Sequence, residues 1–216
     1  MALDAAFPAS CPGCGAEGAP ICRRCLPALD ARLDQPPGVP IGVPADIPAP
    51  LLQIEWCAPF SGVVRDALHV LKYSGERRLA VPLGQAVARR WDRAAAGGDL
   101  IVAVPVHAAR ARQRGYDQAL LIAEIAAEAL GLPIELALQR QRETVAQFDL
   151  GREDRATNVE GAFGLAQPDG PARLTGRWVV LVDDVMTTGS TLAACAMVLL
   201  DAGVIGVSAI TVARER

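Results

Sequence analysis

WVVLVDDVMTTGSTL, residues 178–192, decides the fold. Five apolar residues, Trp178 to Val182, have the length and composition of a buried strand. Two acids follow, Asp183 and Asp184, and then a hydroxyl-rich turn. From Thr191 and Leu192 an apolar helical pattern runs to Leu200. The stretch therefore reads as strand, loop and helix start, the unit from which α/β proteins build sites beyond the carboxyl ends of their strands. A helix start presents backbone N–H groups and the positive end of a dipole, which suits a phosphate. Thr187, Thr188, Ser190 and Thr191 add hydroxyl donors, and Gly189 permits a close backbone approach or a positive φ. The paired carboxylates suit sugar hydroxyls or a metal ion. The combination points to a phosphorylated sugar.

Other folds also place acids at a strand end. Phosphate-loop ATPases do so behind Mg²⁺, but they carry G-x-x-x-x-G-K-[ST] upstream. No such segment is present, and the one lysine, Lys72, lies in KYSGE. Receiver and phosphatase folds have an acidic strand end without a TTGST loop.

Working upstream, Leu100–Val106 is a second apolar run of strand length, continuing into VPVHAARARQRGYDQ. Arg110, Arg112 and Arg114 follow without an acid until Asp117. A basic loop between a strand and a helix suits a polyanion such as pyrophosphate; the alternative is a solvated basic turn. His107 has the chemistry of a general acid or base but no visible partner. Tyr116–Gly131 has amphipathic helical spacing, with Gly131 as its C′ residue. Residues 133–138 read as the next strand. Gln139–Gly176 is long, polar and aperiodic, which suggests a lid over the site. Downstream, Gly203 ends the helix and Val204–Val212 is a closing strand. Nearer the N-terminus, residues 51–60 read as a strand and residues 63–71 and 79–96 as helices, with KYSGE a turn. His69 reads as structural, and Cys57 and Cys195 as buried apolar residues. Of the 21 basic residues only Lys72 is a lysine; either a compact ammonium is needed there or its retention is chance.

Four of the six cysteines lie in CPGCGAEGAPICRRC, residues 11–25. Cys11, Cys14, Cys22 and Cys25 form two C-x₂-C pairs across a short turn, the spacing of a closed structural zinc site. Two disulfides are the alternative, disfavoured in a reducing compartment. Residues 26–50 are proline-rich and aperiodic, and read as a linker or strap. The 51% apolar composition supplies a core, and a net charge of −3 gives no general attraction to nucleic acid or membrane. The opening MALDAAFPAS lacks the basic and apolar regions of a signal peptide. No apolar run has the length of a membrane span, so a cytoplasmic protein is expected.

VVLVDDVMTTGST resembles the phosphoribosyl-pyrophosphate (PRPP) motif of type I phosphoribosyltransferases. The resemblance implies that Asp183 and Asp184 bind the ribose hydroxyls and that Thr187, Thr188, Gly189, Ser190 and Thr191 bind the 5′-phosphate. The 6-oxopurine enzymes place an acid where this chain has Thr187, which argues against hypoxanthine or guanine as acceptor. Most of the chain also resembles the competence protein F (ComF) family. The matching pieces are the four-cysteine segment, KYSGERRLA, VPVH with RQRGYDQALLIAEIAAEALGL, Gln147 with REDRATNVEGAF, DDVMTTGST and VARER. Two departures stand out. His107 stands where the family usually has a second proline. Asp117 stands where it usually has Asn, which puts a negative charge near the anion site or simply caps a helix.

By this resemblance Pro105, Val106 and Arg114 belong to a pyrophosphate loop, Lys72 reaches in from the N-terminal side, and Arg155 and Asn158 belong to a hood. The expected organisation is a four-cysteine zinc knuckle (1–30), a proline-rich linker (31–55) and a phosphoribosyltransferase-like domain (56–216). That domain is an α/β fold with a parallel sheet flanked by helices. The expected function is transfer from PRPP, with Mg²⁺, to an acceptor the sequence does not name, linked to DNA uptake in natural transformation. The alternatives are a PRPP- or nucleotide-binding regulator without turnover and a docking protein of the DNA-uptake machinery. A homo-oligomer is left open.

Overall fold

The computed structural model describes residues 8–38, 48–141, 161–167 and 171–215. After a 3₁₀ turn at Leu26–Asp30, the elements in chain order are β1 (Ile54–Pro59), α1 (Gly62–Tyr73), α2 (Ala80–Ala94), β2 (Leu100–Ala103), α3 (Ala108–Arg114) and α4 (Gln118–Leu130). There follow β3 (Leu138–Arg140), β4 (Phe163–Leu165), α5 (Pro171–Leu174), β5 (Trp178–Met186), α6 (Ser190–Asp201) and β6 (Gly206–Arg214).

Four strands form a sheet in the order β1-β6-β5-β2, and each neighbouring pair is parallel. A parallel sheet covered on both faces needs strands that are apolar throughout. Accordingly β2 is buried along its length, and β1 and β6 are buried except at their last residues. Strand alternation sorts the side chains into two cores. Ile101, Ala103, Val180, Val182, Ile210 and Val212 pack with α1, α2 and α4. Leu100, Val102, Val179, Leu181, Val207 and Ala209 pack with α6 and the β3–β4 pair. The register Leu181↔Ala209 and Val102↔Leu181 aligns the strands, so Pro59, Ala103, Met186 and Arg214 end at one carboxyl edge.

The cysteine segment is part of this body. Cys11, Ile21 and Leu29 belong to the core under α1 and α2. A Cβ on Gly13 would lie 2.5 Å from Val63 Cγ2, so only glycine allows the turn to seat against α1. Of the stretch expected as a linker, residues 31–38 and 48–55 are described, and they are tied down. Arg90, 1% exposed, donates to the carbonyls of Arg32, Leu33, Gln35 and Pro36 and forms an ion pair with Glu55 at 2.6 Å. Arg32 stacks on Trp56, 3.7 Å from the ring centroid.

Several expectations are corrected. The strand at 178 runs through both acids to Met186. The basic loop after β2 contains a helix, α3, capped by His107 Nδ1, which accepts from Ala109 N–H at 3.3 Å, and ended by Gly115 at φ +76°. Lys72 and Tyr73 complete the last turn of α1 and lie outside any turn. Residues 133–138 are no strand of the main sheet: Ile134 makes one parallel bridge to Ile101, and Leu138 begins an antiparallel pair with β4. Within the expected lid, β3, β4 and α5 are described, and Ala162 and Phe163 are buried. Among the described residues no helix is long and apolar enough to cross a membrane.

Candidate functional site

The site is built where β5 leaves the sheet. Alternation along β5 turns Asp184 towards the face of Val180 and Val182, covered by α1 and α4, and Asp183 towards α6. Asp184 is 5% exposed. Its Oδ2 pairs with Lys72 Nζ at 2.8 Å and accepts from Gln118 Nε2 at 3.1 Å. Its backbone N–H donates to Asp183 Oδ1 at 2.7 Å. Burial, with the charge of Asp184 next in size, pushes the Asp183 carboxyl well above the usual carboxylate range; the Asp184 N–H and Lys72 only partly oppose this. For Lys72, burial works against the ammonium, but Asp184 beside it outweighs burial and raises its pKa.

The turn after β5 holds the hydroxyls. Thr188 Oγ1 and Ser190 Oγ lie 2.8 Å apart, and Ser190 N–H donates to Thr188 Oγ1 at 3.4 Å. Gly189 has φ +82°, a backbone state that side chains disfavour. A Cβ there would also lie 3.0 Å from Pro48 Cγ, so the end of the proline-rich stretch rests against the turn. Gly189 at the N-cap brings no side chain of its own, so apart from the Ser190 N–H held by Thr188 Oγ1 the start of α6 turns its positive end towards this turn. Thr187 and Thr191 are half-buried within it.

Pro105 and Val106 follow β2, both half-buried. Val106 N–H donates to Asp117 Oδ2 at 2.9 Å. The other oxygen of Asp117 caps α4, accepting from Ala119 and Leu120 N–H at 2.9 and 3.2 Å. Asp117 is thus the helix N-cap, and it also holds one amide of the loop expected to bind pyrophosphate. Burial raises the Asp117 pKa, its three backbone donors pull it down, and the charge of Asp184 adds to the rise. Arg114, at the end of α3, donates to Gln118 Oε1 at 2.8 Å and lies 5.3 Å from the Tyr73 ring centroid. The junction of α3 and α4 is fixed to α1 by Tyr116, whose hydroxyl donates to Leu71 O. Arg77, donating to Gly115 O at 3.0 Å, reinforces it.

The structure therefore brings Lys72, Arg114, Asp183, Asp184 and the 187–191 turn to one edge. Arg155 and Asn158, expected in the hood, lie outside the described residues. Sequence reasoning missed Gln118, although it stands four residues after Arg114 and next to the cap, Asp117.

The four cysteines converge as their spacing implies. Cys11, Cys14, Cys22 and Cys25 place their sulfurs within 4.8 Å of one another and could hold a metal ion. Tetrahedral Zn–S bonds of about 2.3 Å fit sulfurs at this spacing. All four are free thiols, and Cys14 Sγ lies 3.5 Å from Cys22 Sγ, well beyond a disulfide bond of about 2.05 Å. Each C-x₂-C turns on itself, with Gly15 N–H donating to Cys11 O at 2.8 Å and Leu26 N–H to Cys22 O at 2.9 Å. Burial raises the Cys11 pKa, but backbone N–H groups at Cys22 and Gly13 outweigh it and bring the thiol to about 6. Cys25, by burial and by its three neighbouring thiols, is pushed up to about 12. A cluster in which the Cys11 and Cys22 thiols are shifted down and the Cys25 thiol up fits a cation that would displace the remaining protons.

No family model matches the chain. It is 30% identical over 200 residues to the DNA utilization protein YhgH of Escherichia coli strain K12, covering 89% of this chain and 78% of that protein. It is 36% identical over 107 residues to competence protein F of Haemophilus influenzae, covering 49% of this chain and 46% of that protein. Among solved structures it is similar to a glutamine PRPP amidotransferase from B. subtilis complexed with ADP and GMP. That match has 24% identity and a TM-score of 0.42, and covers 71% of this chain but only 28% of that one. So loose a likeness assigns nothing by itself. The parallel sheet, its flanking helices and the strand–turn–helix at 178–201 are in their own right the arrangement expected of a type I phosphoribosyltransferase fold.

Proposed function

The chain belongs to the competence protein F (ComF) family, and on that premise we propose that it is a PRPP-dependent phosphoribosyltransferase serving the use of incoming DNA. The observation that carries the reading is the carboxyl edge of β5. Asp183, half-buried, and Asp184, buried, are followed by a glycine-centred hydroxyl turn and a helix start with glycine at its N-cap, with Lys72 and Arg114 opposite. The 187–191 turn would take the 5′-phosphate, and Asp183 and Asp184 the ribose hydroxyls. Arg114 and Lys72 would face the pyrophosphate, with Pro105 and Val106 beside it. Arg155 and Asn158 would contribute from the hood.

In the transfer, the C1–O bond to pyrophosphate breaks with its electron pair leaving on pyrophosphate. The acceptor atom bonds to C1, and its proton passes to pyrophosphate or water. The reacting centre develops oxocarbenium character, so the protein's work is electrostatic and positional. Pyrophosphate leaves against Arg114 and Lys72, which neutralise its charge. Asp183 and Asp184 are also the groups that would face a Mg²⁺ carried with PRPP, and that ion would supply further neutralisation of the leaving group. Cys11, Cys14, Cys22 and Cys25 would hold a structural Zn²⁺, whose four sulfur ligands leave no position for chemistry.

Calorimetric titration of PRPP with Mg²⁺ tests the site. Saturable binding by the wild type is expected, and its loss in Asp183→Asn/Asp184→Asn with the fold intact. Absence of binding at millimolar PRPP would overturn the reading. Binding without pyrophosphate release across candidate acceptors would identify a PRPP-sensing regulator instead.

A further inference from the structure

Gln118 is buried, 5% exposed, and its carboxamide spans the two halves of the site. Oε1 accepts from Arg114 Nη1 at 2.8 Å, and Nε2 donates to Asp184 Oδ2 at 3.1 Å. The orientation is forced, because a guanidinium offers only donors and a carboxylate only acceptors. A carboxamide serves both at once. Its backbone is held firmly: Asp117 caps α4 immediately before it, and Ala119 and Ile122 anchor the first turns in the core. Arg114 belongs to α3, and the left-handed Gly115 separates the two helices. Helix geometry alone therefore does not set Arg114 against Asp184.

We propose that Gln118 is a positioning residue that couples the pyrophosphate arm of the site to its ribose arm, a role that rests on the PRPP reading above. It ties Arg114 to Asp184, whose Oδ2 is shared with Lys72. An anion that draws Arg114 away from Oε1 frees the carboxamide to leave Asp184 and exposes that carboxylate to ribose hydroxyls. A ligand carrying both groups on one scaffold satisfies both arms. Pyrophosphate or ribose 5-phosphate alone satisfies one arm and leaves the other unpaired. The crossbar thus selects for the intact diphosphorylated sugar over its fragments.

The test is calorimetric titration of PRPP with Mg²⁺ into wild type, Gln118→Met, Arg114→Met and the double variant, with melting temperatures recorded alongside. Arg114→Met should weaken PRPP by on the order of tenfold, the scale of a lost hydrogen bond to a charged group. Gln118→Met removes ties that PRPP must otherwise break, and should tighten PRPP by on the order of threefold to tenfold, the scale of one net hydrogen bond. In the Arg114→Met background that gain should shrink to no more than about twofold, because both changes cut one connection. A role confined to stability would lower the melting temperature and leave PRPP affinity unchanged. Gln118→Glu provides a second arm should Gln118→Met fail to fold. Its carboxylate holds Arg114 more tightly, so it should weaken PRPP. Unchanged or weakened PRPP binding by folded Gln118→Met, or tightened binding by Gln118→Glu, overturns the inference and leaves the PRPP reading intact. Failure of the wild type to bind overturns both.

Discussion

The cysteine knuckle and the carboxyl edge of β5 are both clusters of groups that ionise as anions, but they balance that charge differently. In the knuckle four sulfurs face one another, and Cys25 resists ionisation. At the β5 edge Asp184 already has Lys72 and Gln118 on one oxygen. The knuckle could hold an added cation, whereas the edge is held by its own side chains and, on the proposed reading, would exchange them for a ligand. The first arrangement suits structure, and the second suits reversible binding.

The largest effect should come from stripping the knuckle. Structural zinc contributes on the order of 10 kcal/mol to small zinc-dependent folds, and here Cys11 and Ile21 line the domain core. Chelation, or Cys11→Ser, should therefore lower the melting temperature of the whole chain; an unchanged melting curve would erase the contrast. Next in size is Arg90→Ala. It leaves Glu55, fully buried, without its close partner, and should cost about 3–5 kcal/mol in denaturant unfolding. It also releases the carbonyls at 32–36.

A smaller effect of opposite sign is expected at Asp183. Its folded pKa is raised, so its carboxylate destabilises the fold increasingly as pH rises above the ordinary carboxylate range towards that folded value. Asp183→Asn should stabilise the ligand-free protein at neutral pH by on the order of 1 kcal/mol while abolishing PRPP binding. Its advantage should fade in acid. Lys72 provides the alkaline counterpart. Its raised pKa means that its stabilisation is complete below the ordinary lysine range and is lost as pH climbs through the folded value, and Lys72→Met should flatten that decline. The smallest effect is Asp117→Ala. Loss of the α4 cap should cost about 1 kcal/mol, while the freed Val106 N–H and the lost negative charge should tighten pyrophosphate binding in calorimetry.

The strand–turn–helix at 178–201 was legible because its apolar run, its acids and its glycine each signal independently. The four-cysteine spacing was legible for the same reason. Gly131 was readable as a helix end and adopts φ +66°. What stayed hidden depended on tertiary partners. The helix at 108–114 has no apolar stripe, and only His107 and Gly115 delimit it. Residues 31–36 carry no periodicity, because Arg90, more than fifty positions away, fixes their carbonyls. Nothing in the sequence around Gln118 marks it; its role exists only once β5 brings Asp184 against it. The expected hood at 155–158 falls outside the described residues, so that part of the site rests on the family resemblance.

The most direct test of the central claim is a crystal structure of the protein with PRPP and Mg²⁺. The 5′-phosphate is expected on the 187–191 turn, the ribose hydroxyls at Asp183 and Asp184, and the pyrophosphate facing Arg114 and Lys72. PRPP bound elsewhere, or an edge at which Lys72 and Gln118 still hold Asp184 under saturating ligand, would contradict it.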